Sequence, residues 1–334
     1  MERMDRRFLA FFVGFTAFLA VQLHGPIDAR WDGAVYYILG TSIAEGHGYR
    51  LLNEPGDVAA VQYPPVLPLV VAGMQRALGT SDFVVVGTWL RGLYLLVALA
   101  LAVATYRLAS RFLPPVRAFL ASVIATIAVH VWYLAGVLYT EIPFSLVAVA
   151  FVLCARRADR TPYWLATAAL GAVGYMLRTA GVALLLAWIV EPILAWVMGA
   201  LRRSPSRPQR LPLRQVAARI AIALVPLLAW QAWVGSVTSS PAYQRPAYAY
   251  QRAPYQYSNV PYSENMKLAN PFVPEEGLLT TRALLARVAR NLGAVPASIG
   301  GAVTAQRGFW EITVHAVDRR VFGGDVIPTS AVLV

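Results

Sequence analysis

Apolar residues in this chain fall into long runs, without the short alternation of a half-buried sheet. Seven runs stand out: Phe8–Leu23, Val84–Tyr106, Ala118–Leu138, Ile142–Ala155, Tyr163–Leu177, Thr179–Leu201 and Ile220–Gly235. A helix rises about 1.5 Å per residue and the hydrocarbon layer of a bilayer is about 30 Å thick, so roughly 20 mainly apolar residues cross it. The pattern predicts an all-α, polytopic transmembrane bundle of about seven spans, the shorter runs borrowing flanking residues. A further run, Pro65–Leu78, is too short to cross and carries prolines at 64, 65 and 68, which reads as an interfacial or re-entrant segment. Arg3, Arg6 and Arg7 precede the first run, but no A-x-A cleavage pattern directly follows it, so it reads as a retained anchor and not a secretory signal.

Composition supports the membrane reading. Of 334 residues, 58% are apolar and 14% charged, with a mean hydropathy of +0.54, values outside the range of ordinary soluble domains. Basic residues number 29 against 17 acidic ones, a net charge of +12, and 28 of the 29 are arginine. They sit in short clusters between apolar runs, whereas nucleic-acid binding needs a continuous basic face. Cytoplasmic loops retain positive charge. Arg3, Arg6 and Arg7, then Arg107, Arg111 and Arg117, then Arg156, Arg157 and Arg160, then Arg202 to Arg219 fall on one side if the N-terminus is cytoplasmic. That topology places an extracytoplasmic loop at 24–83, tight outer turns at Glu141 and Arg178, and a long outer region after residue 236. The single cysteine, Cys154, excludes an intrachain disulfide and a cysteine metal site, and His24, His47, His130 and His315 share no short metal-binding spacing.

Four regions follow from this reading. Residues 1–236 form a transmembrane module that includes the 24–83 loop. Residues 237–277 form a Tyr- and Pro-rich outer loop, which prolines keep from regular structure. Residues 278–325 contain an amphipathic helix at Leu278–Leu292 that lies on the membrane. Residues 326–334 look like the start of a further, truncated span.

Several ionisable groups stand on the outer side. Asp28 and Asp32 are four residues apart, a spacing that on a helix puts both carboxylates on one face, where repulsion calls for a cation between them; solvated loop acids fit equally. Glu141, in Tyr139-Thr140-Glu141-Ile142-Pro143-Phe144, lies between two apolar runs and needs a partner there. Arg91 and Arg178 either snorkel to lipid phosphates or face inward as a phosphate-binding fork. Tyrosines 243, 248, 250, 255, 257 and 262 offer flat faces and hydroxyls to sugars, or anchor at the headgroup level. Glu191 falls on the cytoplasmic side of its span.

The order of these motifs resembles the polytopic GT-C superfamily of glycosyltransferases, in particular the bacterial branch related to protein mannosyltransferases and the lipid A aminoarabinose transferase. The similar features are an acidic first outer loop reading Asp32-Gly33-Ala34-Val35-Tyr36-Tyr37, Tyr63-Pro64-Pro65 opening an apolar helix, an arginine in the next span at Arg91, the Thr140-Glu141-Ile142-Pro143-Phe144 hinge and a Leu177-Arg178-Thr179-Ala180-Gly181 turn. The resemblance implies an integral protein of the bacterial inner membrane. It would move a monosaccharide from a polyprenyl-phosphate donor to a hydroxyl of an extracytoplasmic glycan, lipid or protein acceptor, with inversion. It also implies Asp32 as base with Asp28 second, Glu141 orienting the acceptor or binding a divalent cation, and Arg178 and Arg91 on the phosphate. Tyr37, Tyr63, Tyr250 and Tyr257 would contact substrate. The rival readings are a transporter or flippase of a lipid-linked molecule, with the same charges forming a translocation path, and a catalytically silent GT-C-like subunit. A transporter needs polar groups past mid-membrane, whereas the acids here cluster at the outer rim.

Overall fold

The computed structural model describes residues 5–304 apart from 22, 57, 159–160, 202–212, 253–259, 261 and 271–272. The fold is all-α, with 73% helix and, among the described residues, one two-stranded hairpin. The long helices are α1 (Arg6–Val21), α2 (Asp32–Ala44), α3 (Val66–Leu78), α4 (Phe83–Ala109), α5 (Pro115–Ile127), the short α6 (Val129–Leu134), α7 (Glu141–Ala155), α8 (Thr161–Leu177), α9 (Val182–Leu201) and α10 (Leu213–Thr238). Strands β1 (Arg50–Leu51) and β2 (Val58–Ala59) pair antiparallel between α2 and α3. Beyond α10 come the single turns α11 (Pro241–Gln244) and α12 (Tyr262–Asn265), and then α13 (Thr281–Thr304).

Each apolar run is helical, with one correction. Ala118–Leu138 is not one helix: the chain leaves helical geometry at Ala128, whose ψ is 129°, and resumes as α6. Among the described residues two helices, α4 and the stretch Arg214–Thr238 of α10, are long and apolar enough to cross a membrane. Pro65–Leu78 forms the separate helix α3, which stops at Gly79; that residue adopts φ +66°, a left-handed conformation that glycine reaches without steric cost. The start of α4 is set by Asp82, whose side chain accepts hydrogen bonds from the N–H groups of Val84 (2.7 Å) and Val85 (3.2 Å).

The main core lies under the first loop. Ile27, Tyr36, Leu67, Val71, Val86, Leu90, Tyr94, Leu138 and Leu177 are buried together, joining α2, α3, α4, the chain before α7 and the end of α8. Helices α2 and α3 touch closely because Gly40 has no side chain: a Cβ there would stand 2.5 Å from Val71 Cγ1. Arg76 of α3 donates to Ile43 O (2.7 Å) and Ala44 O (3.3 Å), carbonyls at the end of α2. A second cluster, around Tyr175, Leu185, Ala223 and Trp230, joins α8, α9 and α10. Buried Arg219 of α10 ties into α9 through Trp188 O (3.1 Å) and Glu191 (3.2 Å). Away from these cores Val13, Leu96, Val225 and Leu228 are more than half exposed.

The Tyr- and Pro-rich region is partly docked, contrary to the expectation of an irregular loop throughout. Tyr243 packs with Val61 and Val237, and Gln251, 1% exposed, donates to Pro55 O at 2.9 Å. Prolines prevent a long helix here but not single turns, and Ser240 starts α11 by accepting from Tyr243 N–H. The expected amphipathic helix at Leu278–Leu292 is present as α13, displaced towards the C-terminus, with Leu285, Val288, Leu292 and Val295 exposed. Residues 326–334 lie outside the described residues.

Candidate functional site

Three distant stretches of chain meet at one cavity of about 620 Å³. The first loop contributes Asp32, Tyr36, Gln62 and Tyr63, the start of α7 contributes Glu141, and the turn after α8 contributes Arg178. Backbone pairing fixes the first two together. Asp28 N–H donates to Gly136 O (3.0 Å) and Leu138 N–H to Asp28 O (2.7 Å), so the first loop is stitched to the hinge just ahead of Glu141. Buried Tyr94 secures the same hinge by donating to Tyr139 O at 2.6 Å.

Asp32 is the first residue of α2. The Tyr63 hydroxyl donates to its Oδ1 at 2.9 Å, and the Tyr63 ring meets Tyr36 edge-on at 5.1 Å. Tyr63 is itself held by Tyr49, whose hydroxyl donates to Tyr63 O at 2.7 Å. Burial and the Asp32 carboxylate both push the Tyr63 phenol well above its usual pKa, so it stays protonated and remains a donor. Directly before Asp32, Trp31 has φ +50°, a left-handed conformation that is costly for a side chain of this size.

Arg178 leaves α8 with extended backbone and donates to Glu141 Oε1, and to Thr140 Oγ1 at 3.4 Å. Burial opposes the charged guanidinium, but the hydrogen bond and ion pair with Glu141 outweigh it and raise the pKa of Arg178. Among the described residues its Nε and Nη2 donate to no protein group, which leaves an unused edge for an anion. The turn is packed against α8 through Gly181, where a Cβ would fall 2.3 Å from the Gly174 carbonyl. The glycine of the Leu177-Arg178-Thr179-Ala180-Gly181 motif is thus required by backbone-to-backbone contact.

Other expected site residues lie elsewhere. Asp28 precedes α2, so it shares no helix face with Asp32; its carboxylate pairs with Arg30, whose hydrogen bond holds it below the usual carboxylate range. Arg91 is not beside Arg178. Leu90 and Tyr94 of α4 point into the core, and Arg91, one residue further, is rotated about 100° away from Leu90. Its Nη1 donates to His24 O (2.7 Å), and it lines a separate cavity of about 50 Å³ with Trp132 and Leu95. The same helical phase turns Tyr37 outward, where its hydroxyl donates to Ser81 O (2.8 Å), and gives the cavity to Tyr36. Tyr250 does not line the cavity either; its hydroxyl donates to Glu54 at 3.0 Å. Tyr257 lies outside the described residues.

Tyr36, Gln62 and Thr140 are among the cavity residues that sequence reasoning did not single out. Gln62 stands out in retrospect as a lone polar residue between the apolar Ala59-Ala60-Val61 and the Tyr63-Pro64-Pro65 motif. Among the described residues no three of His, Cys, Asp and Glu converge as metal ligands, and Glu141 is already engaged with Arg178. None of the known protein families, curated proteins or solved structures compared with the chain matches it.

Proposed function

We propose that this chain is a polytopic membrane glycosyltransferase of GT-C type. In this reading α1, α4, the α5–α6 pair, α7, α8, α9 and α10 span a bacterial inner membrane, the N-terminus is cytoplasmic and the cavity opens on the extracytoplasmic side. Exposed Val13, Leu96, Val225 and Leu228 support the membrane setting, because water disfavours so much uncovered apolar surface. The carrying observation is the convergence of Asp32, Glu141 and Arg178, from three separated segments, on one cavity.

The chemistry follows from what each group can do. The donor is a monosaccharide joined through its anomeric carbon to a polyprenyl phosphate, with the phosphate against the free edge of Arg178. Asp32, oriented by the Tyr63 hydroxyl, takes the proton of the acceptor hydroxyl. The acceptor oxygen then bonds to the anomeric carbon from the face opposite the phosphate, and the carbon–oxygen bond to phosphate breaks. Polyprenyl phosphate leaves with the electron pair, its added charge stabilised by Arg178. Attack opposite the leaving group inverts the anomeric centre. Glu141 keeps Arg178 extended towards the cavity.

The test is a release assay. Purified protein in lipid nanodiscs receives radiolabelled polyprenyl-phosphate sugars and a mixed membrane-glycan acceptor fraction. The reading expects release of polyprenyl phosphate matched by label on the acceptor. Accumulation of intact donor on the far side of sealed vesicles, without release, would instead establish a flippase.

A further inference from the structure

Several polar side chains of the cavity, Gln62 among them, take no part in the transfer described above. Gln62 is nine-tenths buried, lines the cavity beside Tyr63, and its Oε1 meets no hydrogen-bond partner. The two other buried glutamines among the described residues differ. Gln251 Nε2 donates to Pro55 O (2.9 Å), and Gln75, although its Oε1 is also unpartnered, is anchored through Nε2 to Thr41 Oγ1 (2.8 Å). A buried amide without a partner carries a standing penalty, and in a cavity wall a bound molecule can remove it.

The position of Gln62 indicates which part of a donor it meets. It precedes Tyr63, whose hydroxyl touches Asp32, so it belongs to the first-loop wall of the cavity, whereas Arg178 and Glu141 form the wall contributed by the hinge and the α8 turn. A donor with its phosphate on Arg178 and its anomeric carbon within reach of an acceptor held at Asp32 turns its sugar ring towards the first-loop wall. An amide carries no charge and offers an acceptor and two donors, which rotation about its last torsion exchanges. Those properties suit a sugar hydroxyl, which also both donates and accepts.

We infer that Gln62 reads a ring hydroxyl of a neutral donor sugar, so that the cavity distinguishes a glycosylated polyprenyl phosphate from the bare carrier and from a deoxy analogue. This rests on reading the cavity as a glycosyl-transfer site. Discrimination of this kind is strong because a site built to pair a hydroxyl leaves its own polar group unpaired when that hydroxyl is missing.

The experiment measures binding of a short-chain polyprenyl phosphate, bare or bearing mannose, glucose or arabinose, to the wild type and to Gln62→Leu. The wild type binds at least one glycosylated carrier roughly 10- to 100-fold more tightly than the bare carrier. Gln62→Leu loses most of that preference while its affinity for the bare carrier stays within about twofold, a result that also reports intact folding. A set of monodeoxy versions of the preferred sugar, bound to the wild type, contains one member with the same loss, a readout that needs no variant. Equal weakening of bare and glycosylated carrier in Gln62→Leu, or full preference retained in the variant, overturns the inference and leaves the glycosyltransferase reading standing. Failure of the wild type to bind even the bare carrier overturns both.

Discussion

The close contact at Gly181 gives the most quantitative prediction. In Gly181→Ala the new methyl carbon would stand 2.3 Å from the carbonyl carbon and oxygen of Gly174 and 2.4 Å from Tyr175 N. Ordinary contact starts near 3.4 Å, so two backbones must part by about 1.1 Å, and no flexible side chain is present to absorb the shift. Overpacking of this size costs about 1–3 kcal/mol of stability. The functional cost is larger, because Arg178 opens the same tight turn, with Gly181 N–H donating to Arg178 O at 2.8 Å. A displacement of about 1 Å in a group that positions reacting atoms lowers turnover by roughly 100-fold. The control is Gly92→Ala in α4, where a Cβ meets nothing within 4 Å; it should be neutral or stabilising by up to about 1 kcal/mol. Thermal unfolding in nanodiscs reads the first effect and donor turnover the second. A Gly181→Ala protein with wild-type melting and wild-type turnover would refute the packing argument and the placement of Arg178 that depends on it.

Three further outcomes are expected. Tyr63→Phe removes the hydroxyl that orients Asp32 and should lower kcat about tenfold with little change in donor affinity or melting temperature, as measured by steady-state kinetics and a thermal shift assay. Arg91→Leu should leave bare-carrier affinity unchanged, because Arg91 lines a different cavity from Arg178; an isothermal titration showing a tenfold loss would contradict that placement. Asp28 has a lowered pKa in the folded protein, so its pairing with Arg30 stabilises the fold above the usual value of 3.8 and is lost as the pH falls through the lowered one; the melting difference between wild type and Asp28→Asn should therefore close on acidification through that window.

Helical class was legible in the sequence because long apolar runs leave few alternatives, whereas the helix ends at Gly79 and Asp82 emerged only from the folded chain. The site was legible only in part. Asp32, Glu141, Arg178 and Tyr63 carried recognisable motifs, and all four line the cavity. Tyr37 and Arg91 lie outside the cavity for one shared reason: adjacent residues on a helix point about 100° apart, so a motif that locates a segment does not choose between Tyr36 and Tyr37 until the core-facing stripe is known. Asp28 lies outside the cavity: α2 begins only at Asp32, so the spacing by four puts the two carboxylates on no common helix face. Gln62 has no motif, and its interest comes from burial without a partner, which depends on the folded chain.

Asp32→Asn asks whether Asp32 acts as a base in a cavity where Arg178 holds the leaving phosphate. The substitution keeps the size of the side chain and a group for Tyr63 to bond while removing its ability to take a proton. In Asp32→Asn, polyprenyl phosphate release should fall by at least about 100-fold while affinity for the glycosylated donor stays within about threefold of wild type. Normal release by Asp32→Asn would contradict that role for Asp32.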